Sequence, residues 1–267
     1  DAVYQQALQK VRQALELGLK VQILPRDLVP TYLFAPSDLV VTLGQDGLVV
    51  KTAKYIDQQP LLAINPDPER FDGVLLPFLP AQARAAATAV LRGSFRAREV
   101  TLAEVRLDDG QRLLAFNDLF VGAASHVSAR YRIGWRGQSE PHSSSGVVIS
   151  TGAGSTGWLS SIFNMASGVL ALTTGTAAGP AALARPRLGW EDPRLLFVVR
   201  EPFVSRHSRA GIIAGIVDPK EELRLESAMP LGGVIFSDGV EADYLSFNSG
   251  AVAHIRAAPQ RARLVVA

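Results

Sequence analysis

The chain has 267 residues, 48% of them hydrophobic and 19% charged, enough to bury one large core or two smaller ones without disulfide or metal staples. Its 27 basic and 25 acidic residues leave a net charge of +2, too little for affinity built on many phosphate contacts, so nucleic acid is not an expected partner. Cysteine is absent, which excludes a disulfide framework, thiolate catalysis and Cys-ligated zinc or iron–sulfur centres.

The chain opens on a polar, helix-like stretch, from which no signal peptide is expected. Tyr4, Leu8, Val11 and Leu15 form one stripe of an amphipathic helix, and Gly18 stands where it would end. Val21 and Ile23 alternate with polar neighbours as a short strand closed by Pro25. Asp38 to Leu43 is a nearly all-apolar run, as in a strand covered on both faces. Gly44-Gln45-Asp46-Gly47 breaks it, Leu48 to Tyr55 can form a helix, and Pro60 to Asn65 is a second apolar strand. This is the grammar of a parallel α/β layer.

After about residue 95 the pattern changes to short strands with turn punctuation. Glu99–Leu107 and Arg112–Phe116 are expected to pair across Asp108-Asp109-Gly110. Tyr131, Ile133 and Trp135 alternate with Arg130, Arg132 and Gly134, so the arginines belong to a solvated strand face. Further strands are expected at Gly146–Thr151, Leu195–Arg200, Ile212–Val217, Glu222–Glu226 and Val234–Ser237. Most of Ala171–Pro193 reads as loop. The run from Pro141 to Ala184 has no charge, but its Ser, Gly and Thr keep it below the roughly 18 apolar residues of a membrane span. A soluble, cytoplasmic protein without membrane association is the expectation.

Three motifs could carry chemistry. Gly44-Gln45-Asp46-Gly47 follows a buried strand and precedes a helix, where ligands gather at the carboxyl edge of a parallel sheet. An acid among glycines would repel a phosphate; it suits a group that takes a proton from a hydroxyl or holds a metal ion. A plain Asp-Gly turn is the alternative. Gly152-Ala153-Gly154-Ser155-Thr156-Gly157 fits G-x-G-x-x-G, with Trp158, Ile162 and Met165 following at helical spacing. A dinucleotide fingerprint would need a second strand ending in an acid near Thr174, and none is there. A polar loop that hydrogen-bonds a ligand, with Trp158 available to stack on a base, fits better. Asn117-Asp118 can read ribose hydroxyls or an amide, or can cap a turn. His126, His142, His207 and His254 have no metal-ligand spacing, and no G-x-S-x-G is present.

In this order and spacing the motifs resemble the NAD kinase family, with its G-G-D-G-T loop, Asn-Glu pair and T-G-S-T loop followed by Ala and an aromatic. The stretch Asn65-Pro66-Asp67-Pro68-Glu69-Arg70, Ser144-Ser145-Gly146 and Trp158 are similar to the branch that includes the animal mitochondrial enzymes. Pro202–Ser208 and Ser237-Asp238-Gly239 match weaker landmarks.

The resemblance implies an N-terminal Rossmann-like α/β domain over 1–95 that carries the Gly-Asp-Gly phosphate loop. It also implies a C-terminal β-rich, sandwich-like NAD-binding domain over 96–267, its last segment packing back on the first. By the family pattern the chain starts inside the first helix, without the family's opening strand. The implied reaction is ATP-dependent phosphorylation of the adenosine ribose 2′-hydroxyl of NAD, with Mg²⁺, in a homodimer or larger assembly. Asp46 would be the general base in a phosphate loop of Gly44, Gln45 and Gly47. Asn117 and Asp118 would bind NAD, and Thr156, Trp158 and Ser161 would hold its adenine end; no protein-held metal is implied. Such chemistry rests on positioning and charge neutralisation and needs no Walker-type lysine. Gln45 replaces a Gly, Leu48 a Thr and Ala153 a hydroxyl residue. A Cβ at 45 is expected to bar a positive φ or a close phosphate approach. Two rival functions follow: a non-catalytic dinucleotide-binding relative, or a kinase of the same superfamily acting on a lipid or sugar.

Overall fold

The computed structural model describes residues 2–175 and 186–267. The chain divides into two compact units, one of residues 1–100 with 260–267, the other of residues 101–259.

In the first unit, helix α1 (Ala2–Ala14) buries Ala7 and Val11, one turn apart, while Tyr4 of the expected stripe is exposed. The helix stops before Gly18, which takes φ +76° in the following turn. Val21 and Ile23 do not form the expected strand; both are solvent-exposed in irregular backbone, because alternation alone supplies no neighbour to complete a hydrogen-bond ladder. Strands β1 (Val40–Leu43) and β2 (Pro60–Ile64) run parallel, with Val40 opposite Leu61 and Leu43 opposite Ile64. The other side of β2 pairs, again parallel, with Arg263 and Leu264 of the chain's final strand. Central position explains why β2 reads as an unbroken apolar run: Leu61, Leu62, Ala63 and Ile64 are all buried. Helix α2 (Asp46–Ala53) links the two strands and buries Val49, Val50 and Ala53. Helix α3 (Ala83–Leu91) presents Ala83, Ala86, Ala87 and Val90 to Leu62, Ile64, Phe78 and Val265. An alanine face lets helix and sheet approach closely but gives little hydropathy contrast.

The second unit is a two-sheet sandwich. From Thr101 onward β3 (Arg96–Leu107) pairs antiparallel with β4 (Arg112–Ala115), and Gly110 supplies the φ of +90° at the turn between them. Then come β5 (Asp118–Ala123), β6 (Ala129–Trp135), β7 (Gln138–Ser144) and β8 (Val147–Ser150). Helix α4 (Trp158–Thr174) precedes β9 (Leu195–Val199), β10 (Ala214–Val217) and β11 (Leu223–Ser227). The chain ends with β12 (Gly233–Ser237), β13 (Val240–Ser246) and β14 (Val252–Val266). One sheet carries the order β14–β11–β6–β7, the other β10–β9–β8–β5–β12–β13. Their facing sides form the core, with Leu119, Val121, Ile149, Phe197 and Ile235 meeting Val105, Tyr131, Ile133, Leu225 and Ile255. Each such aliphatic side chain contributes about 1.5–3 kcal/mol through burial. Arg130 and Arg132 point outward and are exposed, as the alternation along β6 requires.

Helix α4 covers part of the outer face of the second sheet. Trp158 and Ile162 pack on Phe120, Val148 and Val234, and Leu159 and Phe163 on Leu196 and Val198. This helix runs three residues past Ala171, into the stretch expected to be loop; of that expected loop, residues 176–185 lie outside the described residues. Among the described residues no helix is long and apolar enough to cross a membrane.

Candidate functional site

In the first unit the loop between β1 and α2 is tied down at both ends. The Gly44 amide donates to the Ile64 carbonyl at 3.3 Å, and Gln45 is the N-cap of α2 with φ −83° and ψ 166°. Position 45 is therefore ordinary extended backbone, and the side chain there brings no φ strain; the expected conflict with a positive φ does not arise. Gly44 and Gly47 also avoid positive φ, and the space around Gly47 is open to 4 Å. Asp46 is the first residue of α2, where the helix dipole favours an acid. Its Oδ1 accepts the Leu75 amide at 2.6 Å, while Oδ2 has no partner among the described residues. The carboxylate is thus oriented by one oxygen and offers the other to an incoming proton.

In the second unit the structure brings two of the three motifs into one cluster. Asn117 lies at the junction of β4 and β5, and Asp118 opens β5. The Thr151 amide donates to the Asn117 carbonyl at 2.9 Å, and the Thr151 hydroxyl donates to the Phe116 carbonyl at 2.6 Å. The same hydroxyl accepts the Gly154 amide at 3.2 Å, so one threonine ties the glycine loop to the Asn-Asp junction. Gly154 sits against that junction so closely that a Cβ there would overlap the Asn117 carbonyl; a Cβ on Gly152 would overlap the Gly189 carbonyl. These glycines are required by protein packing, not by a dinucleotide. Ser155 spends its hydroxyl inside the loop, donating to the Gly152 carbonyl at 2.7 Å. Thr156 and Ser161 are exposed.

The Asn117 side-chain amide has no hydrogen bond among the described residues, and Asp118 is only 7% exposed. Burial, and then the neighbouring Asp238 charge, push the Asp118 carboxyl up to about 7. In the sequence Asp238 stands out only within Ser237-Asp238-Gly239, a weaker landmark of the family resemblance. It stands at the β12–β13 hairpin with φ +54°, and its carboxylate accepts the amides of Phe116, Asn117 and Asp118.

Beside this cluster the second unit holds a cavity of about 680 Å³, within the range of small-molecule sites. Of the residues expected to bind NAD, Trp158 lines it and Asn117, Asp118, Thr156 and Ser161 do not; His126 and Ser145, noted in the sequence for other reasons, also line it. The indole stacks on Phe120, with ring centroids 5.5 Å apart and planes 14° apart, and the Arg200 guanidinium lies 5.3 Å from its centre. Phe236, Tyr244, Asn248 and Glu241 are among the other residues of the wall. Phe120, Arg200, Tyr244 and Asn248 escape a sequence reading, because they come from separate elements and share no local spacing. No three of His, Asp and Glu converge as metal ligands among the described residues.

No family model and no curated protein matches the sequence. The fold, however, is similar to that of yeast NADH kinase in its crystal structure complexed with NADH. The TM-score is 0.64 at 16% identity, covering 99% of this chain and 80% of that one. An α/β unit followed by a β-rich unit without a closed barrel is an NAD kinase-like fold.

Proposed function

We propose that this chain is an NAD kinase-like phosphotransferase that moves the γ-phosphoryl group of ATP to the adenosine ribose 2′-hydroxyl of NAD, giving NADP. The observation that carries the proposal is Asp46: a half-buried acid with one oxygen anchored and one available, between a parallel strand and a helix, in an NAD kinase-like fold. In this reading Asp46 takes the hydroxyl proton as the oxygen attacks phosphorus. Gly44, Gln45 and Gly47 line the path of the triphosphate. Asn117 and Asp118 hold NAD, whose adenine end meets Thr156, Trp158 and Ser161. Mg²⁺ would ride mainly on the phosphates, as that ion commonly does, and neutralise their charge. The test is conversion of NAD to NADP by purified protein with ATP and Mg²⁺. Asp46→Asn, which keeps an oxygen for the Leu75 amide, is expected to lower turnover by about 10²–10⁴-fold with NAD affinity unchanged. Turnover equal to that of the native protein would reject the assignment.

Gln45 and Leu48, which stand where the family carries Gly and Thr, favour a second reading: a dinucleotide binder that no longer transfers phosphate. NAD binding without turnover, with large activity gained by Gln45→Gly and Leu48→Thr together, would establish it. A lipid or sugar substrate is separated from both by direct binding of NAD, a sphingoid base and a sugar phosphate.

A further inference from the structure

Asp238 makes no ligand contact in the reading above, yet three successive amides converge on it. Phe116, Asn117 and Asp118 donate to its carboxylate at 3.1, 2.7 and 3.3 Å, and its own amide donates to the Asp118 carbonyl at 2.9 Å. A run of convergent N–H groups is the kind of cradle that elsewhere holds an anion; here a side chain from the β12–β13 hairpin fills it. The main-chain amides of Asn117 and of the residues on both sides of it are held by this one group.

What it fixes has unused capacity. Asp118 is only 7% exposed, and its carboxyl makes no hydrogen bond among the described residues. Asp118 and Phe120 are two residues apart on β5 and so share one sheet face, the face on which Phe120 meets Trp158 and lines the cavity. A buried carboxyl left without a partner is destabilising. A ligand on that face would supply the partner.

We propose that Asp238 is a positioning residue: it locks the 116–118 main chain and thereby aims the Asp118 carboxyl at a hydroxyl or carbonyl group of a ligand bound on the outer face of β5. The inference rests on the dinucleotide reading above for the identity of that ligand, a sugar hydroxyl or carboxamide of NAD. Asp118 acts in its acid form, as a hydrogen-bond donor. Its β8 partner is Ser150, and Asp238 is the charged group that acts on it. Burial and that charge place its titration at about 7, so the donor is present below neutral pH and lost above it.

The test measures NAD affinity of the full chain by calorimetry from pH 6 to 9, and follows the Asp118 carboxyl carbon by NMR without ligand. The native Kd is expected to rise about tenfold per pH unit above 7. Asp118→Asn, whose carboxamide donates at every pH, should lose that dependence whatever its absolute affinity. Asp238→Asn removes the charge and turns an NH2 toward a main-chain amide. It should weaken binding at pH 6 by more than tenfold and, through loss of the charge, lower the Asp118 inflection. A merely structural Asp238 would lower Tm and leave the NAD affinity of the folded variant at pH 6 in place, and that result overturns the proposal, as does a native affinity flat across the range. Should Asp238→Asn fail to fold, the Asp118→Asn profile still decides. Absence of NAD binding at every pH defeats the dinucleotide reading, whereas the ligand-free titration separately decides whether Asp118 holds its proton up to neutral pH.

Discussion

The two glycine-bearing loops look alike in the sequence and differ in what their glycines do. In the first unit, Gly47 sits in open space and neither it nor Gly44 needs a positive φ; the fold makes no demand for glycine at 47. In the second unit, Gly152 and Gly154 are pressed against the carbonyls of Gly189 and Asn117, and the fold admits nothing larger. A glycine spacing therefore reports absent side chains without saying what occupies the room. Where protein backbone occupies it, packing explains the residue. Where nothing does, the room is left for something the chain itself does not supply.

The largest effect expected from this contrast is at Gly154. Gly154→Ala must displace the Asn117 carbonyl or the loop, and the Ser150 hydroxyl 2.7 Å from the new carbon blocks a simple slide. A loss of about 3 kcal/mol is expected, at the upper end of overpacking penalties and equivalent to roughly 6–12 °C in Tm. Gly152→Ala, against main chain at Gly189, should behave alike. Thermal melts within a degree of the native protein would break the comparison, because the second loop would then yield as freely as the first.

Asp118, beneath that packed loop, gives the next effect. Its carboxyl titrates at about 7 in the folded chain against 3.8 as the ordinary value, so between those pH values the folded state keeps a proton that the unfolded chain has released. Stability then falls as pH rises from about 4 to 7 and is level above. The full penalty is about 4 kcal/mol at about 1.4 kcal/mol per pH unit, an upper figure for a group beside a second acid. Asp118→Asn removes it: denaturant melts should show no gain near pH 4 and about 2–4 kcal/mol at pH 8. An equal gain at both pH values would mean that shape, not charge, is at stake.

Much of the fold was legible because core-facing strands announce themselves. β1, β2, β6 and β9 carry apolar runs or clean alternation, and each is paired where that pattern requires. β7 was invisible: Gln138-Ser139-Glu140-Pro141-His142-Ser143-Ser144 has no apolar side chain apart from the proline ring, and it is a strand because all seven residues pair with β6. Glu140 adds a tie, accepting the amides of Gly211 and Ile212, both at 2.7 Å. Conversely, Val21 and Ile23 had the pattern and found no neighbour. Among the candidate site residues, Asp46, the Asn117-Asp118 pair and the 151–158 loop can each be singled out because each belongs to a motif of adjacent residues. The Asp238 cradle joins residues 120 to 122 positions apart, and no local pattern encodes such a meeting.

The smallest effect has the sharpest sign. Gly47 is the second residue of α2, exposed, at an ordinary φ and with nothing within 4 Å of where a side chain's first carbon would stand. By helix propensity alone Gly47→Ala should stabilise the chain by about 0.5–1 kcal/mol, opposite in sign to Gly154→Ala. The native sequence forgoes that gain. Were the glycine kept for a close approach of phosphate, the alanine variant would melt one to a few degrees higher (roughly, for a chain of this size) and bind ATP more weakly. A variant that is both more stable and fully active would show the first loop's glycine to be idle, and would leave Asp46 as the part of that loop with chemistry to do.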